Sequence, residues 1–178
     1  MHPTSRFLRF AIAVAALTLS GCAPVRVHSF ATRGTDFTRY HTYAWSNDAR
    51  STGDARLDNS PFFFDRVEAS VDQQLAQRGY EKNEAAPDLL IHVHASMTEK
   101  IDTSGLDRDL ATCTAGDCRS YVYEAGTLLL DFVDARTKIV VWRGWAEDSL
   151  DGIDSQPLMN QRIADAVAEI LEQWPRRL

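Results

Sequence analysis

A period-two alternation of apolar and polar residues runs through most of the patterned chain, and it constrains the fold more than any other feature. After Pro87-Asp88, one set of alternate residues is Leu89, Ile91, Val93 and Ala95, and the other is Leu90, His92, His94 and Ser96. Successive side chains of a strand point to opposite faces of a sheet. The run therefore predicts a strand through about Met97, with one face in the core and one at least partly wet.

Two more strand-like runs, at 121–134 and 139–150, flank the segment Ala135-Arg136-Thr137-Lys138. Their spacing predicts a β-hairpin. Alternation over 25–30 predicts an early strand, and the aromatic residues that follow it lead into a second β-rich stretch ending at Trp45. Residues 46–59 are polar, with a glycine at their centre, which predicts a loop.

Two segments instead repeat apolar residues at steps of three and four, which predicts amphipathic helices. The first begins at Ser60-Pro61 and ends before Gly79, and the second has Pro157 near its start and ends at Pro175. Helices and strands do not alternate strictly along the chain. We therefore predict an α+β fold, with two amphipathic helices packed on one face of a mainly antiparallel sheet of about five or six strands.

The N-terminus has the organisation of an export signal. Arg6 and Arg9 precede an apolar run that ends in Leu19-Ser20-Gly21-Cys22, and the run is shorter than the roughly 20 residues that span a bilayer. The tetrapeptide resembles the lipobox of bacterial lipoproteins, which implies cleavage before Cys22 and acylation of its thiol. Ala23 after the cysteine implies forwarding to the outer membrane, facing the periplasm.

Removal of a signal over residues 1–21 would leave 157 of the 178 residues, enough for one domain. We expect 22–35 to hold the lipidated N-terminus, a tether and the first strand, and 36–178 to form a single α+β domain. The signal contains two arginines and no acidic residue, so the remaining chain has a net charge of −8. An acidic domain without basic clusters argues against a nucleic-acid partner.

Cys113 and Cys118 are the remaining cysteines. In an oxidising compartment a disulfide is the natural prediction, with a metal site as the alternative. Closure of so short a loop would contribute roughly 2 kcal/mol in the chain-entropy model, so the bond would stiffen a loop rather than hold the fold.

The candidate binding face consists of polar and aromatic side chains that the alternation places on the outer side of the sheet, namely His92, His94, Asp131, Arg143 and Trp145. If the hairpin pairs as its turn predicts, Asp131, Arg143 and His94 gather on one face. The two histidines could alternatively share a transition metal, but a zinc site needs three or four protein ligands and few further histidines remain. We predict no metal and no cofactor.

Several segments resemble the domain-of-unknown-function family 4136, in order along most of the chain: 36–45, Pro87-Asp88-Leu89-Leu90, 126–131, Val141-Trp142-Arg143-Gly144 and Trp174-Pro175. Members of that family are mostly envelope lipoproteins whose activity is not established, so the resemblance implies no catalytic residue. The turn that often holds a glycine in relatives is Arg136-Thr137-Lys138 here, and the cysteine-bearing segment is not typical of the family.

Three functions are compatible with the sequence. A non-enzymatic envelope module would contact another envelope protein through the open sheet face, whereas a small-molecule or lipid-binding lipoprotein would have an apolar pocket between helices and sheet. An enzyme would need a convergent polar cluster, and the sequence contains no nucleophile elbow, phosphate loop or zinc-protease motif. The expected function is the first, with no catalytic residue and with attachment to the membrane through lipid on Cys22.

Overall fold

The computed structural model describes residues 25–46, 52, 54–60, 62–102 and 121–175. Six strands form one mixed sheet: β1 (Arg26–Ala31), β2 (Thr42–Trp45), β3 (Glu81–Lys82), β4 (Leu89–Asp102), β5 (Tyr121–Asp134) and β6 (Val140–Ser149). The helices of these residues are α1 (Ala55–Asp58), α2 (Phe63–Gln77) and α3 (Gln156–Glu172), with a 3-10 turn at Phe37–Arg39. The predicted α+β class is confirmed.

The strand order across the sheet is β1-β6-β5-β4-β2-β3. The neighbouring strands β1, β6, β5 and β4 pair antiparallel, while β2 is parallel to both β4 and β3. A short turn suffices to join antiparallel neighbours, whereas a parallel pair needs a longer crossover. The turn after β5 joins the antiparallel strands β5 and β6, and α2 lies in the crossover between the parallel strands β2 and β4.

The predicted hairpin forms between β5 and β6, and Asp134 organises its turn. The Asp134 carboxylate accepts hydrogen bonds from the backbone N–H groups of Arg136 (3.0 Å) and Thr137 (2.7 Å). Lys138 has φ 60°, a left-handed conformation that favours glycine. The structure thus tolerates a lysine at a turn position that suits glycine, because neighbouring hydrogen bonds fix the loop.

Three predicted element boundaries change in the structure. β4 extends to Asp102 rather than ending at about Met97. α2 begins at Phe63 rather than at Ser60-Pro61, because the Ser60 carbonyl first accepts a 3.3 Å hydrogen bond from Phe63 in a separate turn. α1 occupies part of the predicted polar loop, since the Asp54 side chain caps it by accepting from the Arg56 backbone N–H at 2.9 Å. Gly79, with φ 76°, lies just beyond the end of α2, as predicted.

The core lies between the sheet and the two long helices, which pack against each other and against the same sheet face. The two long helices and the strands β4, β5 and β6 contribute alternate or helically spaced apolar side chains that are almost fully buried, among them Val67, Val71, Leu75, Leu89, Ile91, Leu130, Phe132, Trp142, Val167 and Ile170. Across the described ranges, no helix is both long and apolar enough to cross a membrane.

Three parts of the molecule are named from this arrangement. The open face is the sheet face opposite α2 and α3. The N-terminal end is the end of the sheet where β1 begins and β4 ends, near the starts of α2 and α3, whereas the turn end contains the Ala135–Thr137 turn and the last turn of α3.

Candidate functional site

The open face contains all five residues of the predicted binding face, in two rows across the sheet. In the first row, His92 of β4 is opposite Asp131 of β5, which is opposite Arg143 of β6. In the second row, His94 is opposite Leu129, which is opposite Trp145. β1 extends both rows, because Phe30 pairs with Arg143 and His28 pairs with Trp145.

Asp131 is the centre of an ion cluster on this face. Its two carboxylate oxygens accept hydrogen bonds from Nε (2.5 Å) and Nη2 (2.6 Å) of Arg143, and the Nε2 atom of His94 lies 3.5 Å from Oδ2. Only 4% of Asp131 is exposed, whereas the side chains of Arg143 and His94 are 44% and 54% exposed. A bidentate guanidinium pair of this kind compensates the desolvated carboxylate and fixes both side chains.

The ion cluster holds a charged guanidinium on the open face. The hydrogen bond from Arg143 to Asp131 raises the pKa of the arginine, which keeps the guanidinium charged. Both carboxylate oxygens of Asp131 accept hydrogen bonds from that cation. Part of the Arg143 side chain and the imidazole of His94 remain exposed at the surface.

Aromatic side chains lie beside the ion cluster, toward the edge strand β1. The rings of His28 and Trp145 stack with centroids 5.3 Å apart and an interplanar angle of 26°. Phe30 is 57% exposed, although it lies one row from Trp145 on the same face. Sequence reasoning placed Trp145 here but missed His28 and Phe30, because it did not identify β6 as the partner of β1.

The metal alternative gains no support from these positions. Among the described residues, no group of three or more His, Cys, Asp or Glu side chains is arranged to hold a metal ion. The predicted disulfide, Cys113 with Cys118, and the predicted lipidation site, Cys22, lie outside the described residues.

A second candidate site is an apolar cleft between sheet and helices at the N-terminal end. It consists of two adjoining cavities of about 80 and 280 Å³ that share five lining residues, Leu57, Phe63, Met97, Met159 and Ile163. Ion pairs lie at its rim, with Arg162 3.2 Å from Asp148 and Arg56 paired with Glu124. An apolar pocket between helices and sheet is what the lipid-binding alternative requires.

A family model described as "Domain of unknown function (DUF4136)" matches residues 27–176 of the chain. No curated protein gives a significant match. Solved structures do share the fold, at low sequence identity. A DUF4136 family protein from Bacteroides thetaiotaomicron is 14% identical with a TM-score of 0.50, and the match covers 85% of this chain and 96% of that one.

Two further structures have somewhat higher TM-scores. The PelC dodecamer from Paraburkholderia phytofirmans is 10% identical with a TM-score of 0.52, over 87% of this chain and all of that chain. A PDZ domain protein from Parabacteroides distasonis is 16% identical with a TM-score of 0.59, over 86% of this chain. The present chain spans only 36% of the length of that protein. At these identities the likeness shows the fold alone.

Proposed function

Because the chain belongs to the DUF4136 family, for which no activity is established, we propose that it is a lipid-anchored envelope protein that binds a protein partner through its open face. The anchor would be lipid on Cys22, in the outer membrane, with the domain on the periplasmic side. The motif at Leu19-Ser20-Gly21-Cys22 supports the anchor.

The observation that carries the partner proposal is the composition of the open face. Trp145, His28 and Phe30 form an aromatic strip beside the exposed guanidinium of Arg143. Tryptophan and arginine are enriched among residues that dominate protein interfaces, whereas an exposed strip of rings contributes little to folding. The pairing with buried Asp131 fixes Arg143 before a partner arrives, which lowers the entropy cost of binding.

The fold is compatible with a role in an assembly, since PelC, which shares it, is a dodecamer. A partner would most simply pack its own apolar residues on the aromatic strip and a carboxylate against Arg143, because that side chain is cationic and exposed. This makes a second protein with an acidic, partly apolar surface the expected partner.

The test uses a photo-reactive amino acid placed at position 30 of the full chain in intact cells. The control places it at Ile139, which is 57% exposed like Phe30 but lies at the turn end. We expect one protein adduct at position 30 and no such adduct at position 139. The adduct at position 30 should be lost in a Trp145→Ala variant that retains the wild-type circular dichroism. Equal adducts at both positions, or an adduct insensitive to Trp145→Ala, would refute the partner face.

The anchor is tested separately by fractionation. The Cys22→Ser protein is expected to leave the membrane fraction, because acylation requires the thiol of Cys22. A Cys22→Ser protein that stays with the membrane like the wild type would show that lipid on this residue is not the anchor.

A further inference from the structure

The described part of the chain begins at Val25, beside the apolar cleft. β1 pairs antiparallel with β6, so that Val27 is opposite Ala146 and Arg26 is opposite Glu147. Continuation of this register places Val25 beside Asp148, and both Ala146 and Asp148 line the cleft. Val25 itself is half-buried and packs against the core. The segment that precedes Val25 therefore starts at the rim of the cleft.

The cysteine of the proposed anchor lies three residues before Val25. Three extended residues reach at most about 10 Å, because each residue advances the chain by roughly 3.3–3.6 Å. Cys22 would consequently lie within about 10 Å of Val25, whose neighbour Asp148 lines the cleft. The same limit would hold the N-terminal end of the domain close to the membrane surface.

Exposed apolar side chains concentrate at this same end. Phe62 directly precedes α2 and is 63% exposed, and Leu158 in the first turn of α3 is 48% exposed. Ile101 and Val122 are opposite each other where β4 and β5 extend past β6, and they are 60% and 54% exposed. Phe62 and Leu158 directly precede the lining residues Phe63 and Met159. Together the four side chains give the N-terminal end the apolar character that an interfacial site needs.

We propose that the cleft binds an acyl chain of the lipid on Cys22. This inference rests on the proposed anchor and is independent of the partner face. Apolar side chains line most of the cleft, including Met97 and Met159, whose unbranched thioethers adapt to a flexible chain. The larger cavity of about 280 Å³ lies near the low end of ligand pockets, which span about 300–1,000 Å³. Part of one chain fits this space better than a whole lipid.

The experiment is metabolic labelling of cells with a diazirine-bearing palmitic acid, irradiation, and mass spectrometry of the purified lipidated protein. We expect adducts on peptides that contain Met97 or Met159. The expected adduct is a cross-link between one of these peptides and the Cys22 peptide. An adduct of phospholipid mass would show instead that a membrane lipid occupies the cleft, and it would overturn the assignment to Cys22. Absence of any adduct on the cleft peptides of protein labelled at Cys22 would overturn the cleft proposal alone.

A pair of variants tests whether the cleft itself holds the chain. Ala166→Phe places a ring into the cleft, whereas Ala168→Phe places the same ring two residues along α3, at a position that does not line it. Each buried methylene strengthens binding about fourfold, so displacement of two should lower the adduct yield about fifteenfold in Ala166→Phe. Ala168→Phe should keep the wild-type yield. Equal yields from both variants would overturn the proposal. Should Ala166→Phe fail to fold, the positions of the adducts in the wild-type protein test the proposal instead.

Discussion

The two ends of the molecule differ in how completely they are packed. At the turn end, Trp174 lies among the rings of Phe132, Trp142 and Tyr80, with centroids 4.3, 5.1 and 6.0 Å away, and its indole N–H donates to the Tyr80 hydroxyl at 3.0 Å. These four side chains are at most 5% exposed. At the N-terminal end, the same sheet and helices separate around the apolar cleft. The comparison indicates that the turn end stabilises the fold, which leaves the N-terminal end available for binding.

The largest expected effect comes from removal of one aromatic ring at each end. Phe132→Ala should lower the free energy of unfolding by about 3–5 kcal/mol, because Phe132 is fully buried and its neighbours cannot close the space. Phe63→Ala should cost only about 2 kcal/mol, since Phe63 already faces the cleft. Urea denaturation of the Cys22→Ser protein measures both. Equal losses would break the comparison, because they would show that the cleft end is packed as tightly as the turn end.

Asp134 gives the turn end its pH dependence. Burial raises the pKa of Asp134, but hydrogen bonds from Thr137, Tyr40 and Arg136 outweigh it and hold the pKa below 3.8. A depressed carboxylate pKa stabilises the fold at every pH above the unfolded value, and this contribution is lost as the pH falls from about 4 through the folded pKa. Burial, with the hydrogen bond to Asp134, also raises the pKa of Tyr40 to about 12.

Asp134→Asn should therefore cost about 2 kcal/mol at pH 7 and flatten the stability profile below pH 4, because the amide accepts weaker hydrogen bonds and does not titrate. Asp154 is exposed, so Asp154→Asn is the control and should leave the stability at pH 7 and the shape of the stability profile unchanged. Urea midpoints between pH 2.5 and 7 measure the effect. If the urea midpoint of Asp134→Asn still falls below pH 4 as that of the wild type does, other carboxylates cause the acid sensitivity.

Two strand glycines sharpen the comparison further. A Cβ at Gly144 would overlap the Trp142 ring and lie 2.7 Å from Ile170, whereas a Cβ at Gly126 would lie 3.0 Å from the end of the Leu150 side chain. Gly144→Ala should thus cost about 1–3 kcal/mol, since Trp142 is fixed within the aromatic cluster. Gly126→Ala should cost under about 1 kcal/mol, because Leu150 is half-buried and free to move. The reverse order in thermal denaturation would contradict the assignment of rigidity to the turn end.

The period-two and helical patterns predicted the elements and their faces well, because those features are local. Leu89 and Ile91 are buried as their alternation predicts, and the hairpin register brought Asp131 opposite Arg143. The pairing of β1 with β6 joins residues more than 110 positions apart, so no local pattern specifies it. The sequence could not define the cleft as a site either, since three helices and three strands that are distant in sequence line it.

The role of Gly144 also needed the structure. The sequence presents Trp142-Arg143-Gly144 as part of a family resemblance, without a reason for the glycine. In the structure, the Trp142 ring lies across the glycine on the core face, while Arg143 points to the open face. One tripeptide thus serves the aromatic cluster and the candidate binding face together, because neighbouring strand residues point to opposite sides.

The smallest expected effect concerns Phe62, at the start of α2. Because this ring is 63% exposed, Phe62→Ser should change the free energy of unfolding by no more than about 0.5 kcal/mol. The neighbouring Phe64 is 7% exposed, so Phe64→Ser should be several-fold more costly and serves as the matched comparison. Urea denaturation distinguishes the two. A loss above 1 kcal/mol in Phe62→Ser would mean that this ring supports the fold, and it would remove one of the apolar side chains that mark the N-terminal end as a lipid-facing surface.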